Sequence, residues 1–240
     1  MQNATQIGLN HTGARLSPLD SEQQIKASQE VLPDIPGNEQ RLALERTELA
    51  SEAEPIGSVP LPGSAKGMLK NALNKLVGVN PAVLIDKLGE RLAFERSGTR
   101  LYEALMAKVQ AIEEVDAGDM LETLQHFHDQ EAEHFKLVEG ALERLGADPT
   151  AMTPCADVVG VSAAGILQVI SDPRTNLAQS LNALLTAELT DNAGWELLIR
   201  LAEASGQNEI ADSFGKALAQ EQIHLETVRN WLAMEVMRQV

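Results

Sequence analysis

The sequence predicts an all-α fold: a four-helix bundle with one long crossover connection, following an irregular N-terminal extension. Three observations predict it. Aromatic residues make up only 3% of the chain, while Ala, Leu, Glu and Gln, all good helix formers, are common. From residue 80 onward, four long stretches repeat apolar residues at alternating steps of three and four, the spacing of a helix face turned toward a bundle interior. The breaks between them run short, long, short, the connection pattern of a bundle with one crossover.

Residues 1–63 stand apart as a polar extension, partly disordered or loosely helical, and not a second domain. They are rich in Gln, Asn, Ser, Glu and Pro, with breakers at Pro18, Pro33, Pro36, Pro55, Pro60 and Pro62, and show only brief helical periodicity, as at Arg41 to Glu52. His11, within them, reads as a solvated histidine. Residues 64–240 make up the predicted bundle domain, opening with a short accessory amphipathic helix over 64–78. Asn80-Pro81 then supplies an N-cap and an N1 proline for the first long helix, which runs to about Val115. A tight connection at residues 116–119 leads to a second helix, ending at Leu145 before Gly146. Residues 147–171 form the long crossing, with Cys155 in a loop and a shorter helix from Val158 to Ile170. Asp172-Pro173 repeats the cap-plus-proline start for the third helix, which ends at Ala204 before Gly206. The fourth runs to near the C-terminus.

The charge balance, 35 acidic against 19 basic residues, gives −16. Such a field repels nucleic acid and anionic membranes, so neither is expected as a partner. The single cysteine, Cys155, excludes an intrachain disulfide and a thiolate metal cluster. The first residues lack a basic stretch followed by an apolar one, and no window reads as a membrane span, so the cytoplasm is the expected location.

Charged residues interrupt all four apolar seams. The first seam is Leu88, Leu92, Glu95, Thr99, Tyr102, Met106 and Val109, and the second is Leu121, Leu124, His128, Glu131, His134, Val138, Ala141 and Leu145. The third gives Leu181, Leu185, Glu188, Asn192, Trp195 and Ile199, and the fourth Phe214, Ala217, Glu221, His224, Val228 and Trp231. Four carboxylates buried together without compensation would be very costly. No lysine lies on the seams, and only Arg91, one turn before Glu95, offers a positive charge. Two divalent cations would neutralise four glutamates while both imidazoles stay neutral. Glutamate and histidine three residues apart project from one helix face, so each Glu-x-x-His pair can serve one metal or two adjacent ones. The expected metal ligands are therefore Glu95, Glu131, His134, Glu188, Glu221 and His224. Carboxylate plus imidazole suits iron and manganese alike. The two halves also look duplicated: Gln130-Glu131-Ala-Glu-His134 stands beside Gln220-Glu221-Gln-Ile-His224, and Tyr102-Glu103 beside Trp195-Glu196.

Over about residues 81–238 this pattern resembles the ferritin-like superfamily of di-iron carboxylate proteins, nearest to its bacterioferritin and rubrerythrin branches. The resemblance implies two iron ions, with manganese as the alternative, and places Tyr102 beside them as a catalytic residue; by the internal symmetry Trp195 would lie opposite. It implies an oxidoreductase of ferroxidase or peroxidase type, acting on O2 or peroxide with a reductant it does not identify, and a homodimer. A substrate-oxidising di-iron oxygenase, a manganese catalase and a non-catalytic metal-binding or storage protein are the alternatives. The chain also departs from these branches. It lacks the rubrerythrin four-cysteine site, has Asp191 where those proteins usually add a glutamate, and has Ala132 where bacterioferritin has its haem-ligating methionine, so no haem is expected. The long crossing and the polar extension speak against a storage cage. His128 is expected to be a hydrogen-bonded core or helix-end histidine, and His126 a surface one.

Overall fold

The computed structural model describes residues 5–10, 12–31, 37–63, 81–112 and 118–240. Among these residues the fold is all helical, with seven helices and no strands. They are α1 (Pro18–Glu30), α2 (Glu39–Glu52), α3 (Pro81–Gln110), α4 (Gly118–Arg144), α5 (Pro154–Ser171), α6 (Leu177–Ala204) and α7 (Asn208–Met237). The expectations for His11, the helix over 64–78, the cap at Asn80 and the 116–117 turn lie outside the described residues.

The chain divides into two units, Ala4–Pro55 and one that takes in Ile56–Val240. The first contains α1 and α2, so the stretch read as irregular holds two helices. Pro18, counted from sequence as a breaker, occupies the first turn of α1, where its missing N–H costs nothing. Asn38 caps α2 by accepting from the Arg41 N–H at 2.7 Å. Neither helix buries a residue.

In the second unit α3, α4, α6 and α7 are 30, 27, 28 and 30 residues long. Their apolar faces form two cores. One joins the start of α3 (Leu84, Leu88) to the end of α4 (Leu142), the end of α6 (Leu198) and the start of α7 (Phe214). The other joins Leu105 of α3, Leu124 of α4, Leu181 of α6 and Val228 of α7. Shared ends fix the directions: α3 and α7 run one way, α4 and α6 the other. The mid-helix residues of all four are thus brought between the two cores.

Connections follow the chemistry of their residues, with corrections to the sequence reading. Helix α3 ends at Gln110, short of Val115. Gly146 and Gly206 have φ of +79° and +69° and end α4 and α6, a conformation that side chains with a Cβ resist. Thr153 caps α5, so Cys155 lies in its first turn, not in a loop; its N–H donates to Asp86 at 2.9 Å, and burial pushes its thiol up to about 11. Helix α6 does not start at Asp172-Pro173. Asp172 closes α5, and Asn176 caps α6 in a reciprocal box with Gln179, because an amide pair three residues apart satisfies both free N–H groups there. Helix α5 packs on α3 and α6. By length and composition alone it is also apolar enough to cross a membrane, with mean hydropathy 1.5, which amends the expectation that no segment would be.

Candidate metal centre

A helix places residues three and four apart on one face. In α3 the buried residues at mid-helix include Arg91, Glu95, Gly98 and Tyr102; in α6 they include Glu188, Asp191, Asn192 and Trp195. Helix α4 contributes Phe127, Glu131 and His134, and α7 contributes Ala217, Glu221 and His224. The interior seam of α4 thus runs through Phe127, and the expected seam residue His128 turns outward. His128 makes contact with Asp129 at 2.9 Å and Glu103 at 3.4 Å, so it is no part of the cluster. His126 is exposed.

The six residues expected as ligands are all brought inside, and none exceeds 3% exposure. They fall into two groups whose ligand-type atoms lie within 4.8 Å of one another: Glu95, His134 and Glu221 in one, and Glu131, Glu188 and His224 in the other. We refer to these as positions 1 and 2; either could hold a metal ion. One glutamate reaches across both. Glu221 sets Oε1 2.6 Å from His134 Nδ1 and Oε2 3.1 Å from His224 Nδ1. Glu131 lies 3.4 Å from His224 Nδ1, within position 2. Glu221, one of the two Glu-x-x-His glutamates, thus faces both imidazoles.

Each imidazole is held from behind by the opposite helix. Gln220 presents its amide oxygen to His134 Nε2 at 2.9 Å, and Gln130 does the same for His224 Nε2 at 2.8 Å. An amide oxygen only accepts, so Nε2 carries the proton and each Nδ1 faces the carboxylates. The residue preceding each motif glutamate therefore orients the histidine of the other motif. The sequence repeated both glutamines, yet their role was invisible there, because a crossed contact between distant helices leaves no local spacing. Replacing Gln220 with leucine should weaken metal binding about 10–100-fold with helicity unchanged, as measured by competition against a chelator.

The aromatic neighbours repeat the same symmetry. Tyr102 meets the His224 ring edge-on at 5.9 Å, and Trp195 meets the His134 ring edge-on at 5.6 Å. Tyr102 donates its hydroxyl to Glu188 Oε1 at 2.7 Å. Two glycines make room. A Cβ at Gly98 would come within 2.1 Å of Glu131 Oε2, and one at Gly194 within 1.6 Å of the Arg91 guanidinium. Arg91 is buried, lies 3.3 Å from Glu95 Oε1 and is paired with Asp191.

The electrostatics describe a metal-free centre that keeps its protons. Burial pushes Glu95 up to about 7, against the opposing pull of Arg91, with Glu221 adding to the rise. Burial, then neighbouring carboxylates, holds Glu131 and Glu188 well above the ordinary range, although the Tyr102 hydrogen bond opposes this at Glu188. Glu221 is the exception: its burial is outweighed by two facing imidazoles, which bring it to about 2. Burial lowers His134, but Glu221 and Glu95 outweigh it and leave its pKa raised.

The donor set fits a divalent metal by a direct test. Among the described residues, buried side-chain N and O atoms without a hydrogen-bond partner include Glu95 Oε2, His134 Nδ1, Glu188 Oε2, both Glu221 oxygens and His224 Nδ1. The 2.6 Å approach of His134 Nδ1 to Glu221 is thus a convergence of donor atoms without hydrogen-bond direction. At about 1–3 kcal/mol for each unsatisfied atom, their cost would rival a domain's whole stability of about 5–15 kcal/mol. Cations at the two positions would satisfy all of them.

No family model matches the chain, and no curated protein or solved structure matches it.

Proposed function

We propose that this chain is a ferritin-like four-helix-bundle protein of the bacterioferritin and rubrerythrin type, with α3, α4, α6 and α7 as the bundle and α5 on its crossover. The six residues Glu95, Glu131, His134, Glu188, Glu221 and His224 would hold two iron ions, with manganese as the alternative. The reaction we propose is reduction of O2 or peroxide, of ferroxidase or peroxidase type. One observation carries this reading: two crossed Gln-Glu-x-x-His arrays leave both Nδ1 atoms and four carboxylates converging in a buried interior.

When bound, ferrous ions would supply the electrons for reducing the oxidant. The protein's part is positional. Glu221 would serve both positions and Glu131 position 2, while Glu95 and Glu188 would close their outer sides. Gln130 and Gln220 fix the imidazole tautomers. Tyr102 holds Glu188 Oε1 and keeps a phenolic proton next to position 2; burial, then the neighbouring glutamates, keeps that phenol protonated well past its ordinary range. The near-complete burial of all six residues favours a small oxidant over a bulky organic substrate.

The test is an anaerobic reconstitution with Fe(II) followed by exposure to O2 or peroxide. The expected result is oxidation faster than that of free Fe(II). Tyr102→Phe should slow turnover while keeping the metal, because the phenol touches a ligand without being one. Oxidation no faster than free Fe(II), with two metals bound, would replace this reading with a storage or structural site.

A further inference from the structure

The two halves of the centre match at their ligands and orienting glutamines, and three departures from that match fall together. Matching Glu95 to Glu188 aligns Tyr102 with Trp195, and Glu131 to Glu221 aligns Gln130 with Gln220. The same match sets Arg91 opposite Leu184, Asp191 opposite Gly98, and Gly194 opposite Leu101. All three departures serve one guanidinium. Arg91 supplies it, Asp191 pairs with it, and Gly194 leaves the space it fills, since a Cβ there would lie 1.6 Å from Nη2. The guanidinium also lies over the faces of Phe94 at 4.9 Å and Trp195 at 5.5 Å. It is therefore a built site for a buried cation, not an incidental surface pair.

That cation acts on one position only. Its Nη1 lies 3.3 Å from Glu95 Oε1, a carboxylate of position 1. The equivalent oxygen at position 2, Glu188 Oε1, is met instead by the neutral hydroxyl of Tyr102 at 2.7 Å. Each outer glutamate thus has one oxygen engaged and the other, Oε2, without a hydrogen bond. The difference is the charge of the group that engages it. A guanidinium withdraws electron density from Glu95 and repels a divalent cation beside it, and between side chains this deeply buried both effects are weakly screened. Asp191 offsets part of this charge, but it belongs to neither ligand group.

We propose that the Arg91–Asp191 pair makes the two metal positions unequal, so that position 2 fills first and position 1 is the weaker, more readily emptied site. This rests on the dimetal reading above. It gives the pair a positioning role: one resident metal stays bound beside Tyr102, and the other exchanges beside Arg91.

The experiment measures Co(II) binding to the full-length, metal-free chain by calorimetry, comparing His134→Ala, which impairs position 1, with His224→Ala, which impairs position 2. The expected result is that the site left in His134→Ala binds Co(II) more tightly than the site left in His224→Ala, by about tenfold, the lower end of coupling between buried charges. Adding Arg91→Leu and Asp191→Leu should tighten the site left in His224→Ala and bring the two within about threefold. Loosened packing would weaken binding, so tightening distinguishes a charge effect from a structural one. Asp191→Asn alone, which leaves the arginine without its counter-ion, should widen the gap. Equal affinities in the two histidine variants, the reverse order, or a gap unmoved by Asp191→Asn would each overturn the proposal. Failure of the parent chain itself to bind Co(II) would instead remove the dimetal reading.

Discussion

Replacing Glu221 with alanine should weaken both metal positions at once. Its two oxygens face His134 Nδ1 and His224 Nδ1 at 2.6 and 3.1 Å, so it is the residue most evenly shared between the positions. The loss at each should exceed the roughly 10–100-fold expected from removing a group that only orients a ligand. Glu95→Ala is the contrast. Glu95 belongs to position 1, and its removal should leave one metal per chain bound at position 2. Far-UV circular dichroism should find the helices intact in both variants, because the two apolar cores on either side of the centre are untouched. Elemental analysis after dialysis reads the result. Loss of only one metal from Glu221→Ala would show that the carboxylate does not bridge.

The second large effect is on stability. In the metal-free chain Glu95 is raised to about 7, and Glu131, Glu188 and His134 are raised as well. A group whose folded pKa is raised stabilises the fold below its unfolded value and loses that contribution as pH rises through the folded one. All four therefore act in one direction. The metal-free protein should melt at a lower temperature at pH 8 than at pH 5, with the loss for Glu95 falling between about 4.5 and 7. Glu221 acts oppositely, but its contribution is lost only as pH falls toward about 2, outside this window. Metal reverses the trend, because binding expels the retained protons and so strengthens with pH. At a free metal concentration of about a thousand times Kd each filled site adds about 4 kcal/mol, and at roughly 2–4 °C per kcal/mol the melting temperature should rise by roughly 8–16 °C per site. Melting curves at both pH values, with and without metal, test this. A metal-free protein that is more stable at pH 8 would contradict the proton-retaining centre.

The helical fold and the six converging residues were legible in the sequence because each rests on local periodicity. Glutamate at the middle of an apolar seam is rare enough to be noticed, and histidine three residues later shares its face. The seams themselves were legible only approximately. A seam position can be filled by a neighbour one step away, and so Phe127 lies inside where His128 was expected, and Leu184 where Leu185 was. Prolines misled twice. Pro18 opens a helix where it was counted as a break, and Pro173 lies in a turn before α6 where it was read as its start. Both positions permit a fixed φ without an N–H, so the residue alone does not decide between them.

The groups that surround the ligands were much less legible. Arg91 was visible as the lone positive charge near the seams, but its partner Asp191 comes from a helix far along the chain. Gln130 and Gln220 were visible as repeats, and only the packing of α4 beside α7 shows what they touch. Gly98 and Gly194 gave no signal. Their small size matters because a carboxylate and a guanidinium from other helices fill the space, and no pattern within one helix encodes that.

Metal stoichiometry tests the proposed centre most directly. The full chain, stripped of metal and reconstituted anaerobically with Fe(II), should retain two ions per chain after desalting, and Glu131→Ala and His224→Ala should each lose metal with helicity preserved. A chain that retains none, or variants whose stoichiometry matches the parent's, would contradict the assignment of these six residues as a dimetal site.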